Sequence, residues 1–133
     1  MKALGVFLFM AVSTQVFSQS LESYRWKNRI IILTGNQEEV NESLSNYTNK
    51  TGINERKVMF FCLDGKQLIP LPKNEKSILY TKPTFINNSY HFYLIGLDGG
   101  MKEKRMQAMS QKELFELIDS MPMRATELRK RYE

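Results

Sequence analysis

Cysteine and histidine each occur once in this 133-residue chain, as Cys62 and His91. A single cysteine excludes an internal disulfide, so packing has to supply the stability of the fold. One histidine without a second histidine, or a neighbouring cysteine or carboxylate cluster, does not make a zinc site. The sequence therefore predicts no metal and no cofactor. His91 stands beside aromatic residues at the start of an apolar run, where a structural role is expected.

Long apolar runs are missing after the first twenty residues, so no transmembrane segment is predicted in the remainder of the chain. The first residues contain Lys2, an apolar run over 3–12 and the small residue Ser18. The run is too short to span a bilayer, and the layout is typical of a secretory signal peptide, with a retained anchor as the alternative. We expect a signal peptide over 1–18, one domain over 19–133, and an exported protein that is periplasmic or extracellular.

Charge of one sign does not dominate the chain, whose formal net charge is +5. This modest excess does not favour nucleic acid as a partner. The cationic candidates for a binding surface are Arg25, Lys27, Arg29, Lys102 and Arg124. If the first strand begins early, the first three of these project from one of its faces. That row is expected to bind an anionic envelope component, such as a glycan or lipid head group, or another protein. In the alternative, the long side chains cover the sheet edge and keep their charges in water.

The first half of the chain has the pattern of two strands joined by a helix. Residues 30–33 form a β-branched run that fits a strand buried on both faces. Asn36 and Glu39 form a capping pattern that begins a helix, and Gly52 is expected to end it. A second apolar strand follows over 57–65, so the two strands should be parallel neighbours.

The second half predicts a hairpin followed by a helix. Residues 91–97 form an apolar strand, an Asp-Gly-Gly turn follows, and residues 101–106 form a charged strand suited to a sheet edge. Ser110 and Glu113 make a capping box that begins a helix, which Pro122 is expected to end. This order, β-α-β and then β-β-α, predicts an α/β protein with a thioredoxin-like, four-stranded mixed sheet and flanking helices. Residues 66–90, which contain three prolines, show no clear pattern.

Asp119 is an acidic residue whose position the helix pattern does not explain. It lies near the end of the last predicted helix, where the helix dipole disfavours a carboxylate. We expect it to pair with a cation such as Arg25 or Arg29.

Three stretches of the sequence resemble one family: "YRWKNRIIIL", "YLIGLDGGMK" and "ELFELIDSMPMR". The family is one of small exported bacterial proteins with a domain of unknown function. Its module is similar to one in the animal secreted proteins named DRO, URB, equarin and the sushi-repeat proteins. The resemblance implies a thioredoxin-like fold, distantly related to the peroxiredoxins, over nearly all of the chain after the leader, and it implies no reaction.

Thioredoxin-like enzymes carry a reactive cysteine where the first strand meets its helix, because the helix N-terminus stabilises the thiolate. In this chain residues 34–37 at that junction are Thr-Gly-Asn-Gln, which contain no thiol. Cys62 lies instead within the apolar run "VMFFCL", where a buried thiol is expected to behave as a small hydrophobe. We therefore expect a non-catalytic module that acts by binding. The alternative is a thiol oxidoreductase or peroxide-responsive protein that uses Cys62.

Overall fold

One mixed β-sheet organises the described part of the chain, and its six strands lie in the order β4-β3-β2-β1-β5-β6. The strands are β1 (Arg29–Leu33), β2 (Val58–Asp64), β3 (Gln67–Leu71), β4 (Tyr80–Thr81), β5 (Phe92–Ile95) and β6 (Met101–Arg105). This computed structural model describes residues 20–72, 78–87 and 89–131. The predicted signal peptide over 1–18 lies outside the described residues.

Within the ranges that the structure describes, four α-helices and one 3₁₀ helix flank the sheet, and two of the α-helices begin at the predicted caps. The 3₁₀ helix spans Leu21–Tyr24, and the α-helices are α1 (Gln37–Ser45), α2 (Lys50–Glu55), α3 (Gln111–Asp119) and α4 (Pro122–Arg131). The Asn36 side chain accepts a hydrogen bond from the Glu39 N–H at 2.8 Å. The Ser110 hydroxyl accepts one from the Glu113 N–H at 3.2 Å. Both predicted helix starts are confirmed.

The centre of the sheet has the mixed arrangement that the sequence predicts. β1 is parallel to β2, β5 is antiparallel to β1, and β6 is antiparallel to β5. The prediction of four strands is wrong, since β3 and β4 extend the sheet beyond β2. Pro70 lies within β3, but β4 pairs only with Gln67 and Leu68. The later part of β3 is therefore an edge, where a proline is tolerated.

Alternate residues of β1 build two apolar layers, one on each face of the sheet. Ile31 and Leu33 pack with the core residues of α1, α2 and α3. Ile30 and Ile32 pack on the opposite face with Tyr80 and its neighbours. All five residues of β1 are buried, which confirms the expectation of a strand covered on both faces.

The predicted single helix between β1 and β2 is two helices, α1 and α2. Tyr47, between them, is buried, and its hydroxyl donates a hydrogen bond to the Met109 carbonyl at 2.6 Å. The Asn49 side chain then caps α2 by accepting a hydrogen bond from the Gly52 N–H at 2.9 Å. Gly52 thus lies inside a helix instead of ending one.

Pro122 also has a different role from the predicted one. α3 ends at Asp119, and Pro122 is the first residue of α4. Proline suits this position because the N–H that it lacks would have no partner within the helix, and its fixed φ is helical. The additional helix brings Arg124 and Glu127 back towards the start of β1.

Candidate functional site

The five basic residues expected to bind an anion lie around one end of the sheet, where β1 begins, but they do not form a row. Arg25 and Lys27 are exposed in a turn, Arg29 is the first residue of β1, Lys102 is exposed on β6, and Arg124 is buried on α4. The condition for such a row, an early start of the first strand, is not met, since β1 begins at Arg29. The residue between Arg25 and Lys27 is Trp26, and its φ of 68° is incompatible with a strand.

Arg29 is a buried structural residue in the described part of the chain. It is 1% exposed. Its Nη1 donates a hydrogen bond to the Arg56 carbonyl at 2.9 Å and lies 3.2 Å from Oε1 of Glu127. Burial lowers the pKa of the Arg29 guanidinium from its ordinary value, and the Glu127 carboxylate opposes that shift. An arginine remains charged under these conditions.

Three arginines, which we call the arginine cluster, converge on the C-terminal end of α2. They are Arg29, Arg56 and Arg124. In addition to the Arg29 contact, Arg56 donates to the Gly52 carbonyl at 2.9 Å, and Arg124 donates to the Glu55 carbonyl at 3.0 Å. The last carbonyls of a helix have no partners within it, and cations are favourable there. The cluster thus caps α2 from three directions.

Two carboxylates compensate the arginine cluster, and one of them is Asp119. It binds Arg56 through both oxygens, at 3.0 and 2.9 Å, and Arg124 at 3.3 Å. Asp119 thus pairs with cations, as expected, but its partners are Arg56 and Arg124 and not Arg25 or Arg29. Glu127, the second carboxylate, lies 3.2 Å from both Arg29 and Arg124. Three guanidinium groups face two carboxylates.

A groove beside the arginine cluster holds an exposed aromatic residue. This Trp26 groove has a volume of about 630 Å³, and its lining includes Trp26, Lys57, Leu97, Met123, Glu127 and Lys130. Trp26 is 58% exposed. Its backbone N–H donates a hydrogen bond to the Leu97 carbonyl at 2.6 Å, which fixes the turn against the end of β5.

Backbone strain is concentrated in the Trp26 groove. Among the described residues, Trp26 (φ 68°) and Lys57 (φ 56°) are the two non-glycine residues with positive φ. Each follows the end of a helix and precedes one of the two parallel strands, a position where glycine is the usual residue. The left-handed conformation costs about 1–2 kcal/mol for other residues. Strained residues tend to cluster at functional sites, which makes this groove the candidate site.

The charged residues of the Trp26 groove leave a small positive excess. Arg124 and Glu127 form an ion pair with each other at 3.2 Å. Lys57, Lys130 and Glu55 are exposed and also line the groove. The groove therefore offers an aromatic face and one more basic than acidic side chain.

The basic residues on either side of Trp26 in sequence add to the candidate site. The Arg25 guanidinium carbon lies 5.5 Å from the centre of the Trp26 ring and pairs with Glu22 at 3.0 Å. Lys27 is exposed. Sequence reasoning identified these cations but missed Trp26 and Lys57. The sequence feature that could have identified Trp26 is its position: the single tryptophan of the chain lies between two basic residues.

Cys62 lies towards the opposite end of the parallel strands. It lines a cavity of about 420 Å³ with Gly35, Val40 and Leu71. Cys62 packs against the core but is partly exposed, so the expectation of a buried thiol is met only in part. Cys62 lies near the end of β2, where burial decreases along the strand until Asp64 is exposed.

The junction between β1 and α1 presents hydroxyl and amide groups. The Thr34 hydroxyl donates a hydrogen bond to the Tyr90 carbonyl at 3.1 Å, and it lies 3.2 Å from Nδ1 of His91. The Asn36 side chain is occupied as the α1 cap. These contacts tie the junction to the chain that leads into β5.

Two features are absent from the described residues. No group of three or more histidine, cysteine, aspartate or glutamate side chains there could hold a metal ion. Within the same residues, no helix is both long enough and apolar enough to cross a membrane.

Comparison with known proteins gives one match. A family model described as a domain of unknown function, DUF4174, matches residues 20–127. No curated protein and no solved structure matches the chain. The relationship to the DRO, URB, equarin and sushi-repeat module stays a prediction.

Proposed function

The chain belongs to the DUF4174 family, a domain of unknown function, and we propose that it is an exported, non-catalytic module that binds an acidic polymer of the cell envelope in the Trp26 groove. Lys57 and Lys130 would attract the polymer's negative charges, and the Trp26 ring would pack against its apolar faces. Another protein is the alternative partner.

The observation that carries the proposal is the conformation of Trp26. Glycine would adopt φ 68° without strain, so folding alone does not favour a large residue there. Burial does not compensate the strain, because the side chain is 58% exposed. Exposed tryptophans are common energetic centres of binding surfaces.

We further propose that the fold is thioredoxin-like and related to the animal secreted module. The strand order β2-β1-β5-β6, with a parallel first pair and two antiparallel additions, supports this relationship. β3 and β4 would then be an extension outside β2. The absence of a thiol from residues 34–37 supports a role without redox chemistry.

Export is the part of the proposal that rests on residues 1–18. Their order of a lysine, a short apolar run and small residues supports a cleaved leader. Mass spectrometry of the protein recovered from periplasm or medium should give a mature chain that begins at Gln19. Recovery of the full-length chain from the membrane fraction would contradict export by cleavage.

Binding can be measured by calorimetric titration with polygalacturonate as the acidic polymer and dextran as the neutral one. We expect polygalacturonate to bind, with an affinity that falls as salt increases, and dextran not to bind. Trp26→Ala and Lys57→Ala should weaken binding, whereas Lys66→Ala, in the exposed turn between β2 and β3, should not. Equal binding of both polymers, or unchanged binding by Trp26→Ala, would overturn the proposal.

The rival function uses Cys62, which its partial exposure favours. Titration of the folded protein with a thiol reagent near neutral pH separates the two. Slow modification that becomes fast only on denaturation supports the binding module. Catalytic consumption of a dithiol or hydroperoxide that stops in Cys62→Ser would establish the rival instead.

A further inference from the structure

A second, smaller cavity adjoins the Trp26 groove. This Arg29 cavity has a volume of about 280 Å³, and its lining includes Arg29, Leu97, Asp98, Lys102, Met121 and Met123. It shares Leu97 and Met123 with the groove. A ligand that lies on Trp26 can therefore extend towards Arg29.

Arg29 has a guanidinium edge without a partner in the described residues. Its Nη1 is hydrogen-bonded, but Nε and Nη2 are buried and make no hydrogen bond. A buried charged donor left without an acceptor is unfavourable. Nε and Nη2 lie along one edge of the planar group, and such an edge can receive the two oxygens of a carboxylate.

The charges around Arg29 favour an added anion. The arginine cluster has three positive charges against Asp119 and Glu127. The Asp98 carboxylate, which also lines the cavity, is already bound by the Lys102 ammonium at 2.9 Å and the Gly100 N–H at 2.9 Å. Within the described residues each arginine of the cluster contacts a carboxylate, but the three guanidinium groups exceed the two carboxylates by one formal charge, even though Oε1 of Glu127 is also buried without a hydrogen bond.

We propose that the Arg29 cavity binds a carboxylate group of an acidic sugar whose ring lies on Trp26, with the two oxygens on Nε and Nη2 of Arg29. This inference rests on the proposed function and specifies its ligand class. The unpartnered edge is shielded from solvent, so binding requires a side chain to move. Met121 and Met123 line the cavity, and their flexible thioether chains can rotate to admit the carboxylate.

The test follows the Arg29 Nε–H signal by NMR during titration of the full domain with galacturonate, galactose and acetate. Galacturonate should shift this signal and quench the fluorescence of Trp26, the only tryptophan. Galactose should leave the Arg29 signal unchanged. Acetate that shifts Arg29 as strongly as galacturonate at equal concentration would overturn the requirement for the sugar. No shift with either acid would overturn the carboxylate site.

Variants separate this inference from the proposed function. Arg29→Lys keeps the positive charge but removes the pair of donors Nε and Nη2. It should weaken galacturonate binding about tenfold or more. Lys102→Ala provides a second test at a partly exposed position if Arg29→Lys does not fold, and Lys66→Ala is the matched control. Polygalacturonate binding that persists unchanged in folded Arg29→Lys would overturn the cavity proposal and leave the groove proposal standing. If Trp26→Ala loses polymer binding while Arg29→Lys retains it, the cavity proposal is likewise overturned and the groove proposal stands.

Discussion

Arg56 and Asp119 form a two-point ion pair, with Nε 3.0 Å from Oδ1 and Nη2 2.9 Å from Oδ2. The two residues are 63 positions apart in sequence, and their pair joins the end of α2 to the end of α3. Asp119 lies at the negative end of the α3 dipole, where a carboxylate is unfavourable. Its charged form is therefore stabilised by Arg56 and Arg124. The hydrogen bond from Arg56 is the main cause that lowers the pKa of Asp119 from its ordinary value.

The lowered pKa of Asp119 predicts a loss of stability in acid. The unfolded chain takes up this proton at a higher pH than the folded protein does, so the contribution is present above about pH 4 and is lost as pH falls further. Asp119→Asn should flatten the pH dependence of the melting temperature between about pH 5 and 2. Glu116→Gln, an exposed change on the same helix, is the control. Parallel curves for wild type and Asp119→Asn would contradict the assignment.

Arg124 is the arginine of the cluster that contacts both carboxylates. Arg124→Met should destabilise the fold by about 1–3 kcal/mol, because it removes the hydrogen bonds of a buried guanidinium to the Glu55 carbonyl, Asp119 and Glu127. Urea unfolding measures this change. Arg129→Met, at an exposed position of α4, should change stability by less than about 0.5 kcal/mol. Equal effects of the two substitutions would show that the cluster does not stabilise α4.

Tyr24 and Tyr80 share a hydrogen bond of 2.6 Å on the face opposite the helices. Burial, with the Tyr80 contact, raises the pKa of Tyr24 to about 12. Its contribution to stability is present below about pH 10, where the unfolded tyrosine ionises, and is lost as pH rises towards 12. Tyr24→Phe should lose about 1 kcal/mol at neutral pH and show a weaker alkaline decline. Denaturant unfolding at several alkaline pH values gives the result, and an unchanged decline would contradict it.

Replacement of Trp26 or Lys57 by glycine should increase stability, which is unusual for a substitution by glycine. Trp26→Gly and Lys57→Gly should each raise the free energy of unfolding by about 0.5–1 kcal/mol, because glycine adopts positive φ without strain. Gly65→Ala is the reverse control: φ is 62° and the space around the added carbon is open, so strain alone should destabilise it. Denaturant unfolding of the three variants tests the set. Destabilisation by both glycine substitutions would show that the side chains contribute packing that exceeds the strain.

Local signals made part of the fold predictable. The caps at Asn36 and Ser110 depend on residues three positions away, and both predictions are confirmed. The sequence did not predict β3, because this strand contains Pro70. The pattern does not reveal that the partner strand β4 is too short to pair with Pro70. Arg29 was predicted as a surface cation, yet Glu127, its partner, lies 98 residues away. The left-handed turn at Trp26 likewise depends on a distant carbonyl, so the candidate site could not be found by local pattern.

The two outer strands of the sheet influence self-association of the protein at high concentration. Among the described residues, one margin is the two-residue strand β4, and the other is β6, which exposes Lys102 and Lys104. A short margin offers few backbone groups to an incoming chain, and facing lysines repel. Fibril growth by edge-to-edge addition is therefore disfavoured from both sides.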